Sequence, residues 1–134
     1  MRRLKIYVDG SSKGNPGDAG YGFVIEDEEG NRLASGSGYI GVTTSNAAEY
    51  TALIFALLKA KEFNPRSVEI LSDSELLVKQ ISGEYGIHSD LLKPLYLKAK
   101  SLLDSFESFS VRKISRSENR EADKLASAAA RRRG

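Results

Sequence analysis

Four carboxylates mark the ends or flanks of four unlike segments: Asp9, Glu49, Asp73 and Asp123. Asp9 closes the apolar run Leu4-Lys5-Ile6-Tyr7-Val8, and Glu49 opens the helical run Ala48 to Phe63. Asp73 follows Val68-Glu69-Ile70-Leu71-Ser72, and Asp123 lies in the helix-forming stretch Glu118 to Arg133. A side chain at the end of a strand or the start of a helix can point into a shared crevice. Four converging carboxylates cannot all stay ionised unless something neutralises them. The economical neutraliser is one or two Mg²⁺, which prefer carboxylate and water oxygens and complete their shell with substrate phosphates. Taken singly, three of the acids have structural explanations. Asp9 suits a turn with Gly10-Ser11, Glu49 suits a capping partner of Asn46, and Asp73 suits a helix first turn. Asp123, beside Ala122 and near Leu125, has no such explanation, and the order and spacing of the set favour a site.

The elements that must position these acids follow from hydrophobic period and punctuation. Residues 3 to 9 alternate apolar and polar, as a half-buried strand does. Residues 10 to 17, GSSKGNPG, have loop chemistry. Tyr21 to Ile25 and Arg32 to Ile40 are predicted strands, joined by a polar turn whose Gly30-Asn31 favours a hairpin. Thr43-Thr44-Ser45-Asn46 supplies helix N-caps, Leu53, Ala56, Leu57 and Ala60 recur at helical spacing, and Pro65 ends that segment. Val68 to Leu71 suits a buried strand. Ser72-Asp73-Ser74-Glu75 has capping-box spacing and predicts a helix to about Ile81. Leu91 to Phe106 is a further amphipathic helix with Pro94 in its first turn, Phe109 to Ile114 a last strand, and Glu118 onward a last helix. The order β-β-β-α-β-α-α-β-α predicts an α/β fold with a mixed sheet. Its ligand crevice should lie beyond the carboxyl ends of parallel strands, and Asp9 meets Asp73 there if the first and fourth strands are neighbours.

Composition narrows the partners. The 134 residues are expected to form one domain. No apolar stretch approaches the ~20 residues of a membrane span, and Met1 to Lys5 lacks the apolar core of a signal peptide. Cysteine is absent, which excludes disulfides, thiol nucleophiles and thiolate metal sites. A cytoplasmic location is the expectation. The net charge of +2 permits a nucleic-acid partner without demanding one. Positive charge crowds toward the end, at Arg112, Lys113, Arg116, Arg120, Lys124 and Arg131 to Arg133.

With these motifs in order, the chain resembles a type 1 ribonuclease H. The resemblance rests on Tyr7-Val8-Asp9-Gly10-Ser11, Gly14-Asn15-Pro16-Gly17, Gly20-Tyr21-Gly22, the stretch Thr43 to Tyr50, Leu71-Ser72-Asp73-Ser74, and Glu118 to Ala126. It implies a ribonuclease H-like fold, with a five-stranded mixed sheet flanked by helices, over residues 1–134. It implies metal-dependent hydrolysis of the RNA strand of RNA–DNA hybrids, leaving 5′-phosphate and 3′-hydroxyl ends. Asp9, Glu49, Asp73 and Asp123 match the family's catalytic, metal-binding carboxylates, for two Mg²⁺ with Mn²⁺ as a substitute. Asp9 would bridge the pair, and Glu49 would also meet a ribose 2′-OH, the group that marks RNA. Asn15, Ser45 and Asn46 match minor-groove and ribose contacts. Thr44 matches part of a phosphate pocket, and a hydroxyl at a helix N-terminus suits an anion.

Three departures qualify the match. No histidine stands in Ile114 to Asn119, where relatives often carry one, and Arg116 or Glu118 would have to substitute in part. The only histidine, His88, suits a surface loop. Residues 81–92 are too short for the basic protrusion of many bacterial members, as in a compact archaeal and bacterial branch, and weaker hybrid binding is expected. Val42 and Ser89 stand where some relatives have arginine and asparagine, so cleavage of double-stranded RNA is a further expectation. The competing readings are a non-catalytic duplex-binding or protein-interaction module and a junction resolvase or integrase-like nuclease. A monomer is expected.

Overall fold

The computed structural model describes residues 3–131. Strands β1 (Arg3–Ser12), β2 (Gly17–Glu26) and β3 (Arg32–Thr43) lead into helix α1 (Ser45–Lys61). Strand β4 (Ser67–Ser72), helices α2 (Glu75–Ile81) and α3 (Leu92–Asp104), strand β5 (Ser108–Lys113), a 3-10 turn (Ser117–Asn119) and helix α4 (Arg120–Ala130) follow. The predicted element order holds, with the 3-10 turn added ahead of the last helix. The end of that predicted helix, at Arg132 and Arg133, lies outside the described residues.

The five strands form one mixed sheet in the order β3-β2-β1-β4-β5. β1 pairs with β2 antiparallel and with β4 parallel, so the first and fourth strands are neighbours. β4 and β5 are also parallel. On β1, successive side chains point to opposite faces. Leu4, Ile6 and Val8 enter the main core with Phe23 and Ile25, under Tyr50, Leu53 and Leu57 of α1 and Leu103 of α3. Asp9 therefore projects to the other face, where α4 lies.

Several boundaries differ from those expected, for identifiable reasons. Gly10 to Ser12 and Gly17 read as loop, yet Gly10 to Ser12 continue the β1–β2 ladder to the pair Ser12↔Ala19, and Gly17 pairs with Thr43 of β3. Ladder hydrogen bonds override glycine's weak strand preference here. β3 likewise runs to Thr43, so Thr44 is the N-cap of α1 and its hydroxyl accepts from Ala47 N at 3.2 Å. Glu49 consequently sits one turn inside α1 rather than at its opening, and it is not Asn46's capping partner. At α2 the cap is Ser74, which accepts from Leu77 N, whereas Ser72 Oγ accepts from Ser74 N in the preceding turn. The expected Ser72–Glu75 box is therefore not formed.

Candidate active site

Two close backbone approaches bring the helices to Asp9. At Gly10 a Cβ would stand 2.3 Å from the Ala48 carbonyl carbon, so only glycine lets α1 lie this near to β1. The Gly10 amide donates to Glu49 Oε1 at 3.1 Å, which turns that carboxylate toward the end of β1. At Gly22, the partner of Asp9 across the ladder, a Cβ would stand 2.6 Å from the Ala122 carbonyl oxygen. Ala122 and Ala126 are the buried, small residues that α4 offers in return. Asp123 follows Ala122 and lines the same cleft as Asp9. Asp73 completes the set by following β4, which runs parallel to β1.

Asp9, Glu49 and Asp73 each present an oxygen within 4.8 Å of the others. Asp123 is outside that mutual group but lines the same cleft of about 580 Å³. Asp9 is 5% exposed and Glu49 7%. Burial, the nearby Glu49 and the nearby Asp73 all raise the Asp9 carboxyl far above the usual carboxylate range. Burial likewise raises Glu49, against the lowering effect of the Gly10 amide. Asp73 is raised by burial, with Arg116 opposing the shift. Such a cluster resists full ionisation by itself.

The donor set fits a hard divalent cation. It consists of carboxylate oxygens, and Glu49 Oε2 is buried with no hydrogen-bond partner. An acceptor left in that state costs about 1–3 kcal/mol, and a cation would satisfy it. Lys13, Lys113 and Arg116 also line the cleft, a basic rim for an anionic ligand.

The other predicted residues divide into groups. Asn15 and Ser45 are brought together: Asn15 Oδ1 accepts from Ser45 N at 3.1 Å, linking the β1–β2 loop to the start of α1. Thr44 and Asn46 flank Ser45 at the same helix start. Arg116 faces the acidic cleft, but Glu118 does not. Glu118 accepts from Ser115 N at 3.0 Å while Ser115 Oγ accepts from Glu118 N, a reciprocal capping box that holds its carboxyl below the usual range. His88 is exposed in the loop after α2, on a separate surface groove with Leu76, Gln80 and Tyr85. Asn119 was not singled out from the sequence, yet it is buried beside Asp9 and donates to Val8 O at 2.8 Å. Its sequence signal is its place in the Glu118 to Ala126 motif, four residues before Asp123.

Comparison with known proteins agrees with this geometry. The profile of the reverse transcriptase-like family matches residues 7–129. The ribonuclease HI of Halobacterium salinarum is 39% identical over 127 residues, covering 95% of this chain and 64% of that protein. The chain spans only 34% of the length of several other curated relatives it matches. The crystal structure of RNase H1 from Halobacterium salinarum superposes with a TM-score of 0.91 at 38% identity, covering 95% of this chain and 96% of that one. LC11-RNase H1, solved in complex with an RNA/DNA hybrid, gives a TM-score of 0.89 at 40% identity, covering 94% and 95%. The chain belongs to the reverse transcriptase-like family and, within it, to the type 1 ribonucleases H.

Proposed function

We propose that this protein is a metal-dependent endoribonuclease that hydrolyses the RNA strand of RNA–DNA hybrids, leaving 5′-phosphate and 3′-hydroxyl ends. The observation that carries the reading is the gathering of Asp9, Glu49 and Asp73 oxygens within 4.8 Å, around a buried carboxylate oxygen with no partner. The hybrid bound to LC11-RNase H1 supports the choice of substrate.

In this reading Asp9, Glu49, Asp73 and Asp123 hold two Mg²⁺, with Mn²⁺ as a substitute. Bound there, the ions supply Lewis acidity, lowering the pKa of the attacking water and neutralising charge on the leaving 3′ oxygen. The chain's own residues do the rest. The Gly10 amide fixes Glu49, which also faces the ribose 2′-OH beside the scissile phosphate. Lys13, Lys113 and Arg116 draw the phosphodiester toward the cleft they line. Asn15 has its oxygen engaged by Ser45 N, which leaves its amide hydrogens for the minor groove, with Ser45 and Asn46 beside it. The Thr44 hydroxyl accepts from Ala47 N and keeps its proton for a DNA-strand phosphate.

We further propose a single domain over residues 1–134 that acts as a cytoplasmic monomer. No helix among the described residues is long and apolar enough to cross a membrane. Cleavage of double-stranded RNA goes with Val42 and Ser89 in place of arginine and asparagine. The test is a gel in which hybrid, double-stranded RNA and double-stranded DNA are each incubated with Mg²⁺ or Mn²⁺. Cleavage of the hybrid and of no DNA duplex is expected. Binding without cleavage of either RNA-containing duplex would favour the non-catalytic module instead.

A further inference from the structure

Asn119 occupies the N-cap position of α4, where an asparagine ordinarily accepts a hydrogen bond from its own helix. Here it makes no such bond. Its Nδ2 instead donates to Val8 O at 2.8 Å, across 111 residues of sequence, and its Oδ1 is left buried with no partner. The side chain is 1% exposed. A helix cap is given up and a carbonyl is orphaned, both of which are unfavourable.

The location explains what this arrangement accomplishes. The last pair in the β1–β4 ladder is Tyr7↔Leu71, so Val8 is the first residue of β1 beyond it. Asp9, still paired with Gly22 of β2, and Asp73, just past the end of β4, stand at this fork. Asn119 bonds to the carbonyl that immediately precedes Asp9, and Asp123 is four residues further along α4, one turn away on the same side of the helix. One hydrogen bond therefore ties the start of α4 to the strand that carries Asp9. The neighbouring Ser115–Glu118 box orders the approach to α4, which leaves the Asn119 amide available for β1.

We propose that Asn119 is a positioning residue: its amide bond to Val8 sets the distance between Asp123 and Asp9 and thereby makes the acid cluster competent to bind metal. The inference rests on the metal-dependent reading of the site. It needs no base, nucleophile or ligand role for Asn119 itself, which acts only through the two carboxylates.

Two variants test it in the full chain, Asn119→Ala and Asn119→Leu. Leucine is near asparagine in size and removes the orphaned oxygen, so it separates packing from registration. Mg²⁺ binding is measured by calorimetry without substrate, alongside kcat and KM on a hybrid. Both variants should bind Mg²⁺ about tenfold more weakly or worse, and kcat should fall by a similar factor while KM stays within about threefold. Asn119→Leu should melt within about 5 °C of the wild-type chain. A leucine variant that keeps wild-type Mg²⁺ affinity would overturn the proposal, as would one whose binding loss is matched by unfolding. A wild-type chain that binds no Mg²⁺ would also overturn it. A wild-type chain that binds Mg²⁺ but does not cut hybrid would overturn the proposed nuclease activity alone.

Discussion

The acid centre and the rim around it are built by opposite means. At the centre, backbones touch: α1 lies against Gly10 and α4 against Gly22, so closely that no Cβ would fit. The result is a carboxylate cluster in which Asp9 and Glu49 are buried and their ionisation is mutually unfavourable. At the rim, Lys13 to Pro16 and Asn46 are exposed, and single bonds such as Asn15 to Ser45 hold the loop to the helix start. The difference teaches that charge is concentrated where the scaffold cannot relax, and that duplex recognition is left to groups that can adjust. Substitutions at buried Asp9 or at the glycines beside it should act on turnover and stability together. Those at the rim should act chiefly on binding.

The sharpest way to break that contrast is Asp9→Asn. It removes one charge from the centre without changing its shape, and hybrid cleavage should fall by at least about 10²–10³-fold, the loss typical of one electrostatic stabiliser. Filter binding to the hybrid should be largely retained. The same variant should melt at a higher temperature than the wild-type chain in chelator, because an amide needs neither to ionise nor to take up a proton beside Glu49 and Asp73.

A pH series sharpens the same point. Asp9 and Glu49 have folded-state pKa values raised above their unfolded ones, so the folded chain holds more protons than the unfolded chain. The contribution of these two groups to the stability of the metal-free chain is fully present at low pH and is lost as pH rises above about 4, toward the raised values. Thermal melts in chelator should fall between about pH 5 and 8, and Mg²⁺ should flatten that slope. A rising slope would place the dominant titration elsewhere.

Gly22→Ala tests whether close approach, rather than local flexibility, is what the centre requires. The added methyl meets the Ala122 carbonyl oxygen and the Ala126 amide, which belong to a helix backbone rather than to a movable side chain. Denaturant melts should show a loss of about 1–3 kcal/mol or more, with cleavage reduced as Asp123 is displaced. Rim substitutions should have the smallest effects. Lys13→Ala should raise KM a few-fold, leave kcat nearly unchanged and lower the salt dependence of binding by about one charge. Thr44→Ala should behave similarly, with about 1 kcal/mol of stability lost with the cap.

Much of this was legible in the sequence because alternation and apolar period are local signals. Leu4, Ile6 and Val8 announce β1, and the spacing of Leu53, Ala56, Leu57 and Ala60 announces α1. The acids were legible by their places at element ends, although Glu49 lies a turn deeper in its helix than the spacing suggested. The loop misreadings share one cause. Gly10 and Gly17 look like loop residues by preference, but they are strand residues that clear space for neighbouring backbone. Nothing local distinguishes those two uses of glycine. Asn119 was missed for a related reason, since its partner Val8 is 111 residues away and only the assembled sheet brings them together.

The most direct test of the acid centre is Asp73→Asn, compared with the wild-type chain on one labelled RNA–DNA hybrid in Mg²⁺, with hybrid binding and circular dichroism recorded on the same samples. Asp73 is the least buried of the three mutually close carboxylates, so its amide variant should fold without rearrangement. The account predicts wild-type folding, near-wild-type hybrid affinity and no detectable cleavage. A folded Asp73→Asn chain that cuts the hybrid at the wild-type rate would contradict it.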